Sequence, residues 1–278
     1  MVSGTLIYVH GGGPQDGERL HGQLDAAMGN RYLGRSRLAL YADICWPATR
    51  ALQELIGAIA VDDEPPETSA DRLVQALVSA GSGVEPDDEH DLLELAAHLY
   101  DRAGPGGDAG RIEVRIAAGN LVRDLTAYLC DIDRTTANRM RDRIRDAIAA
   151  SEPPYVVVAH SLGSLILYDV LAGAGRVRLT QLITVGSPLG FGFIQWRLRD
   201  RAGRPNPVPD GLRWSNFFDR LDVKVGWHPR LAMAFRRPNT IQDHAPVANK
   251  GMDRHDFPGY LGAPPVADAI SVALDGEP

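Results

Sequence analysis

The stretch with the clearest chemical potential is Ala159-His160-Ser161-Leu162-Gly163, which follows the apolar run Tyr155-Val156-Val157-Val158 and precedes a helix-like run from Ser164 to Ala172. A buried strand, a sharp turn with a serine at its apex and a helix form a layout that presents a strained, accessible hydroxyl. Strand and helix approach closely there, so the residues two before and two after the serine must be small, and here they are Ala159 and Gly163. The plainer reading is a buried turn in which Ser161 or Ser164 only caps the helix. A serine hydroxyl attacks a carbonyl only when a base takes its proton and an acid holds the base. Of the eight histidines, His10, His21, His90, His98 and His160 precede Ser161, and His228, His244 and His255 follow it.

The elements that would carry such a serine are legible around it. Thr5–Val9 is a β-branched run that reads as a buried parallel strand, and it runs into His10-Gly11-Gly12-Gly13-Pro14. A phosphate-binding reading of these glycines fails, because the Gly-Lys-Ser/Thr ending of a P-loop and the spacing of a dinucleotide fingerprint are both missing. Residues 18–30 read as a helix, and Arg37–Ile44 as a second strand ending at Trp46-Pro47. Thr180–Val185, Arg213–Phe218 and Asn239–Gln242 read as further strands, and Val266–Leu274 as a closing helix. Arg111–Ile116 alternates like a strand, yet a helix running on to Leu129 fits equally well. Residues 135–150 form a clearer helix, with Ala137, Met140, Ile144, Ala147 and Ile148 on one face.

With the strand–serine–helix turn at Ser161 and the His-Gly turn after Thr5–Val9 both present, the chain resembles the α/β-hydrolase family, and its lipase and esterase branch in particular. Ala159 stands where that family usually has Gly, a difference of one methyl. The resemblance implies an oxyanion hole formed by the backbone N–H of Leu162 and a donor at Gly12, with Gly11 and Gly13 as neighbouring choices. It also implies the chain order Ser, then Asp or Glu, then His. Asn216-Phe217-Phe218-Asp219-Arg220-Leu221-Asp222-Val223 is similar to the family's Asn-aromatic strand followed by Asp-x-x-Asp-Pro-Val, without the Pro. That match selects Asp222 over Asp219; the plainer reading has both as loop carboxylates, with Asp219 in an Asx-turn. His255, after Asp243, Val247 and Asn249 and before Tyr260-Leu261, holds the family's histidine position, and His244 is the alternative. Gly186-Ser187-Pro188 is similar to a turn common in lipase-like members, and the aromatics Phe191, Phe193 and Trp196 after it line an acyl pocket or simply pack.

The expected function is therefore a serine hydrolase that cleaves carboxylic ester or thioester bonds through an acyl-enzyme on Ser161. The other class of reading is a catalytically silent fold of this kind used for ligand or protein binding. No cofactor is expected, and no metal site, since neither HExxH nor a Cys/His cluster occurs.

Composition sets the remaining bounds. The chain has 278 residues, 44% hydrophobic and 23% charged, which suits one α/β domain with or without an insertion. A net charge of −7 gives no nucleic-acid footprint. Cys45 and Cys130 make no disulfide framework, no signal peptide is visible and no run of about 18 apolar residues occurs, so the expectation is a cytoplasmic protein without an integral membrane segment, acting on a small acyl ester or thioester. Between Leu52 and Asp101 there are 13 acidic residues and one basic residue, Arg72, with breaks at Pro65-Pro66 and Gly81-Ser82-Gly83. Short helices at about 51–61, 70–80 and 91–101 fit the leucine and alanine spacing. We therefore expect a mostly parallel central sheet of about six strands flanked by helices, built from 1–50 and 135–278, with 51–134 as a helical, acidic insertion or cap. From Arg197 to Arg237 basic residues outnumber acidic ones by 10 to 4, which reads either as a rim for an anionic substrate or as a face opposing the acidic insertion.

Overall fold

Thr5–Val9 and Tyr155–His160 are buried along almost their whole length, as β-branched runs in a sheet covered on both faces must be. A computed structural model describes residues 4–13, 15–45, 50–79, 84, 86–104, 109–130, 135–173, 179–198, 211–225, 229–235, 239–251 and 254–276. The Trp46-Pro47 strand end, the 81–83 break, His228 and much of the basic stretch fall outside these residues. In chain order the elements are β1 (Thr5–Val9), α1 (Gly17–Ala27), β2 (Ser36–Ala39), α2 (Ala42–Cys45), α3 (Arg50–Val61), α4 (Pro66–Ser79), α5 (Pro86–Ala103), α6 (Ala109–Leu129) and α7 (Thr135–Ala149). They continue as β3 (Tyr155–His160), α8 (Leu162–Gly173), β4 (Leu179–Val185), α9 (Gly192–Arg197), β5 (Trp214–Phe217), β6 (Ile241–Asp243), α10 (Phe257–Leu261) and α11 (Pro264–Asp275).

The six strands form one open, all-parallel sheet in the order β2-β1-β3-β4-β5-β6, flanked by helices, so the fold is α/β. Two compact units result: Met1–Gly11, Gln15–Tyr41 and Arg141–Pro278 form the first, and Gly12–Pro14 with Ala42–Met140 the second.

In the first unit, one face of the sheet packs Leu6, Tyr8, Val156, Val158, Ile183 and Val185 against α1 and α11. The alternate residues Ile7, Val9, Val157 and Ala159 are equally buried and point the other way. That face meets α8, whose Gly163 lies so close to β1 that a Cβ there would overlap the carbonyl oxygen of His10. Two of the unit's helix starts carry a side-chain cap. Asp16 caps α1 by accepting from the Arg19 N–H at 3.0 Å, and Asp256 caps α10 by accepting from the Gly259 N–H at 2.7 Å. Helix α11 ends on Gly276, with a φ of 74°.

Strand β2 is shorter than the sequence pattern suggests. The ladder with β1 closes at Val9 opposite Ala39. Beyond it the Tyr41 N–H donates to His10 Nε2 at 3.0 Å, and the Tyr41 hydroxyl donates to the His10 carbonyl. These bonds take the chain out of the sheet and into α2, where Arg37–Ile44 read as one strand. Similarly, the last strand begins at Ile241 rather than Asn239, because the Asn239 side chain accepts the Ile241 N–H at 3.2 Å in a local turn.

The second unit is helical. Helix α4 packs on α3 and α5, and α6 packs on α2, α3, α4 and α5. Pro66 opens α4, where a missing N–H costs nothing. The ambiguous Arg111–Ile116 segment is part of α6, which buries Arg115, Ala118, Gly119 and all of Leu121–Thr126. Arg115 is fully buried, and its guanidinium donates to the carbonyls of Ile59 and Gly104 and to Ser69 Oγ at 2.9 to 3.1 Å. A buried pair, Arg123 and Asp124, holds Gly13, since Asp124 Oδ2 accepts the Gly13 N–H at 2.7 Å. Among the described residues no helix is long and apolar enough to cross a membrane.

Candidate active site

In a parallel sheet the natural crevice lies beyond the C-terminal ends of the strands, where successive connections depart in opposite directions. Here that point falls between β1, whose chain continues to β2, and β3, whose chain continues to β4. Gly11 follows β1 and Ser161 follows β3, and a Cβ on Gly11 would stand 3.0 Å from Ser161 Cβ and 2.8 Å from His160 Nδ1.

Ser161 has a φ of 51°, left-handed backbone that a non-glycine residue adopts at a cost of about 1–2 kcal/mol. Three bonds hold it there. Its N–H donates to the Val185 carbonyl at 3.2 Å, and its own carbonyl accepts from the Ser164 N–H at 2.9 Å and the Ser164 hydroxyl at 2.6 Å. Ser164 also meets the Ser187 hydroxyl at 2.7 Å, tying the start of α8 to the Gly-Ser-Pro turn. Ser161 occupies the apex, and Ser164, in the first turn of α8, braces it by donating to its carbonyl. Leu162 opens α8 and is fully buried.

Val185, which holds the Ser161 N–H, precedes Gly186, whose φ is 56°. A Cβ on Gly186 would lie 3.2 Å from both His255 Cε1 and Asp222 Oδ2, and 2.9 Å from the Tyr260 ring. His255 Nδ1 is 2.7 Å from Asp222 Oδ2. Asp222 is 1% exposed and His255 8%. The same Oδ2 accepts the Tyr260 hydroxyl at 2.7 Å, and Oδ1 accepts the Lys224 N–H at 2.9 Å. Burial pushes the Asp222 pKa up, opposed first by the Tyr260 hydrogen bond and then by Lys224.

The alternatives sit elsewhere. Asp219 is buried, but its carboxylate accepts the Leu221 N–H at 2.8 Å, closing an Asx-turn, and the Asn249 N–H at 2.8 Å. His244 stacks on Phe217 with ring centroids 4.1 Å apart, and burial lowers its pKa. Gly12 belongs to the second unit, where a Cβ would overlap the Asp124 carboxylate, and the Gly13 N–H is committed to that same carboxylate. Phe191 and Phe193 are buried, whereas Trp196 is 47% exposed.

Two residues at this corner escape the spacing patterns. His160 is stacked on Phe257 at 4.8 Å and lies 4.5 Å from the His255 ring. Its pKa is held well below the usual histidine range, first by burial and then by repulsion from His255. Tyr260, fully buried on α10, joins the two aspartates: its hydroxyl donates to Asp222 and accepts the Asp219 N–H at 3.0 Å. Tyr260 was visible in the sequence only as a companion of His255, and His160 carried no signal beyond its place beside Ser161.

A strained serine, an imidazole and a buried carboxylate at one end of a sheet are the parts that nucleophilic acyl chemistry requires. Among the described residues no group of three or more His, Cys, Asp and Glu side chains is arranged to hold a metal ion. A scan against protein-family models finds no match to this chain, and a search of curated proteins finds none of significant similarity.

Proposed function

We propose that this protein is a serine hydrolase of the α/β-hydrolase kind that cleaves carboxylic ester or thioester bonds. The observation that carries the reading is the left-handed backbone of Ser161 at the switch point of a parallel sheet that also carries, past its strand ends, a buried His255–Asp222 pair joined at 2.7 Å. A helix N-cap ordinarily has extended backbone, so capping alone does not call for the left-handed φ of Ser161.

In the proposed cycle Ser161 Oγ bonds to the acyl carbon while His255 Nε2 takes the hydroxyl proton. Asp222 holds the Nδ1 proton, fixes the tautomer and stabilises the imidazolium. The N–H of Leu162, one past the nucleophile, is a proposed oxyanion donor, worth about 3 kcal/mol of barrier. The C–O or C–S bond then breaks, and the alcohol or thiol leaves with the proton from His255. Water, deprotonated by His255, releases the carboxylic acid and restores Ser161. The Ser161→Ala variant should lose turnover of short p-nitrophenyl esters, and a fluorophosphonate should label wild type at Ser161 but not the variant. Full turnover in the variant sinks the assignment. Absence of both labelling and turnover in wild type marks a silent, binding fold instead.

A further inference from the structure

Asp222 presents a problem of its own. A carboxylate 1% exposed is stripped of water, and burial favours its neutral form. A neutral acid could not stabilise an imidazolium. The charged or titratable groups facing it are His255, His160 and Lys224, with Asp219 on the far side of the Tyr260 hydroxyl. On the oxygen that meets His255, the other donor is the Tyr260 hydroxyl, at the same 2.7 Å.

The geometry of that hydroxyl is fixed from both sides. It accepts the Asp219 N–H at 3.0 Å, so its own proton is directed at Asp222. The Asp219 carboxylate is in turn held by the N–H groups of Leu221 and Asn249, with Arg254 at 3.6 Å. The phenol ring is pinned against Gly186, where a Cβ would stand 2.9 Å from it. Burial and the nearby Asp222 charge push the phenol pKa up, so Tyr260 remains a donor throughout the working pH range.

We propose that Tyr260 is a positioning residue, which keeps Asp222 ionised and directs its Oδ2 at His255, and that Asp219 serves as the anchor orienting the Tyr260 hydroxyl. The inference rests on reading Ser161, His255 and Asp222 as the triad. The anchoring group is the Asp219 main-chain N–H, which the carboxylate's own bonds to the Leu221 and Asn249 N–H groups hold in place.

Tyr260→Phe tests it, because the ring and its packing are kept while one donor is removed. Loss of a hydrogen bond to a charged group should lower kcat roughly 10- to 100-fold with little change in KM. The acid limb of the kcat/KM profile should move to higher pH. A less solvated carboxylate both binds the imidazolium more strongly and takes up a proton more readily, and each effect acts in that direction. The downfield NMR resonance of the His255 Nδ1 proton should also shift, a readout that needs no turnover. An active Tyr260→Phe variant whose pH limb and resonance both match wild type overturns the proposal, as does a fall in kcat with both unchanged, which would mark a packing role alone. If wild type hydrolyses no ester and the resonance still moves, the positioning role of Tyr260 stands and the hydrolase reading falls.

Discussion

Ser161 spends backbone energy on its position, and that makes it separable from its chemistry. At a φ of 51° an alanine keeps the strain and a glycine relieves it. Both substitutions remove the hydroxyl, so their difference isolates the backbone. Ser161→Gly should be more stable than Ser161→Ala by about 1 kcal/mol, read from urea unfolding with equal slopes. Equal or reversed stabilities would mean that the left-handed turn is not strained. At this scale the sequence was informative where the requirement is local. Ala159 and Gly163 follow from the close approach of strand and helix, and Gly163 indeed meets the His10 carbonyl. It narrowed the carboxylate to Asp219 and Asp222 but could not separate them by distance, because that depends on a hydrogen bond across 33 residues to His255. The Tyr260 bridge and the His160–Phe257 stack are likewise contacts between distant segments, and no local pattern encodes them.

Helix α6 shows the same limit for elements. Ile112, Val114 and Ile116 alternate as a strand would, and what decides for helix is burial in the second unit. Arg115 is the residue that the strand reading explains least well: its fork binds α3 through Ile59, α4 through Ser69 and the end of α5 through Gly104, with its guanidinium 5.0 Å above the Tyr100 ring. Arg115→Ala should destabilise this unit by about 3 kcal/mol or more, since it opens a cavity and strands the buried Ile59 carbonyl and the Ser69 hydroxyl. Arg115→Met, which fills the space and removes the buried charge, should lose less. Far-UV circular dichroism during thermal unfolding checks the order; an alanine variant as stable as the methionine variant would show that the fork holds nothing. The parallel strands were legible because their β-branched runs are continuous. The end of β2 was not, because the bonds from Tyr41 to His10 that turn the chain away join residues 31 apart.

Across the whole molecule the buried titratable groups set how folding responds to acid. Burial lowers the pKa of His98 to about 4, and lowers those of His160 and His244, one histidine in the helical unit and two in the sheet unit. A base whose native pKa lies below its unfolded value binds fewer protons folded than unfolded. Its stabilising contribution is complete above the unfolded value of about 6.5 and is lost as pH falls toward the native value. For His98 that window runs from the ordinary 6.5 down to about 4. Asp222 acts in the opposite sense, because its raised pKa makes the folded state take up a proton first on acidification, but its window starts lower, from the ordinary carboxylate value of 3.8 upward. Each histidine can contribute a slope of up to about 1.4 kcal/mol per pH unit. Urea unfolding should therefore show stability falling from about pH 6.5 to pH 5, and replacing His98 by Phe should flatten the part of the slope that belongs to the helical unit. Stability unchanged over that interval would mean that these imidazoles are protonated in the folded protein, and hence that His160 beside His255 carries a charge which the proposed acyl chemistry could not tolerate.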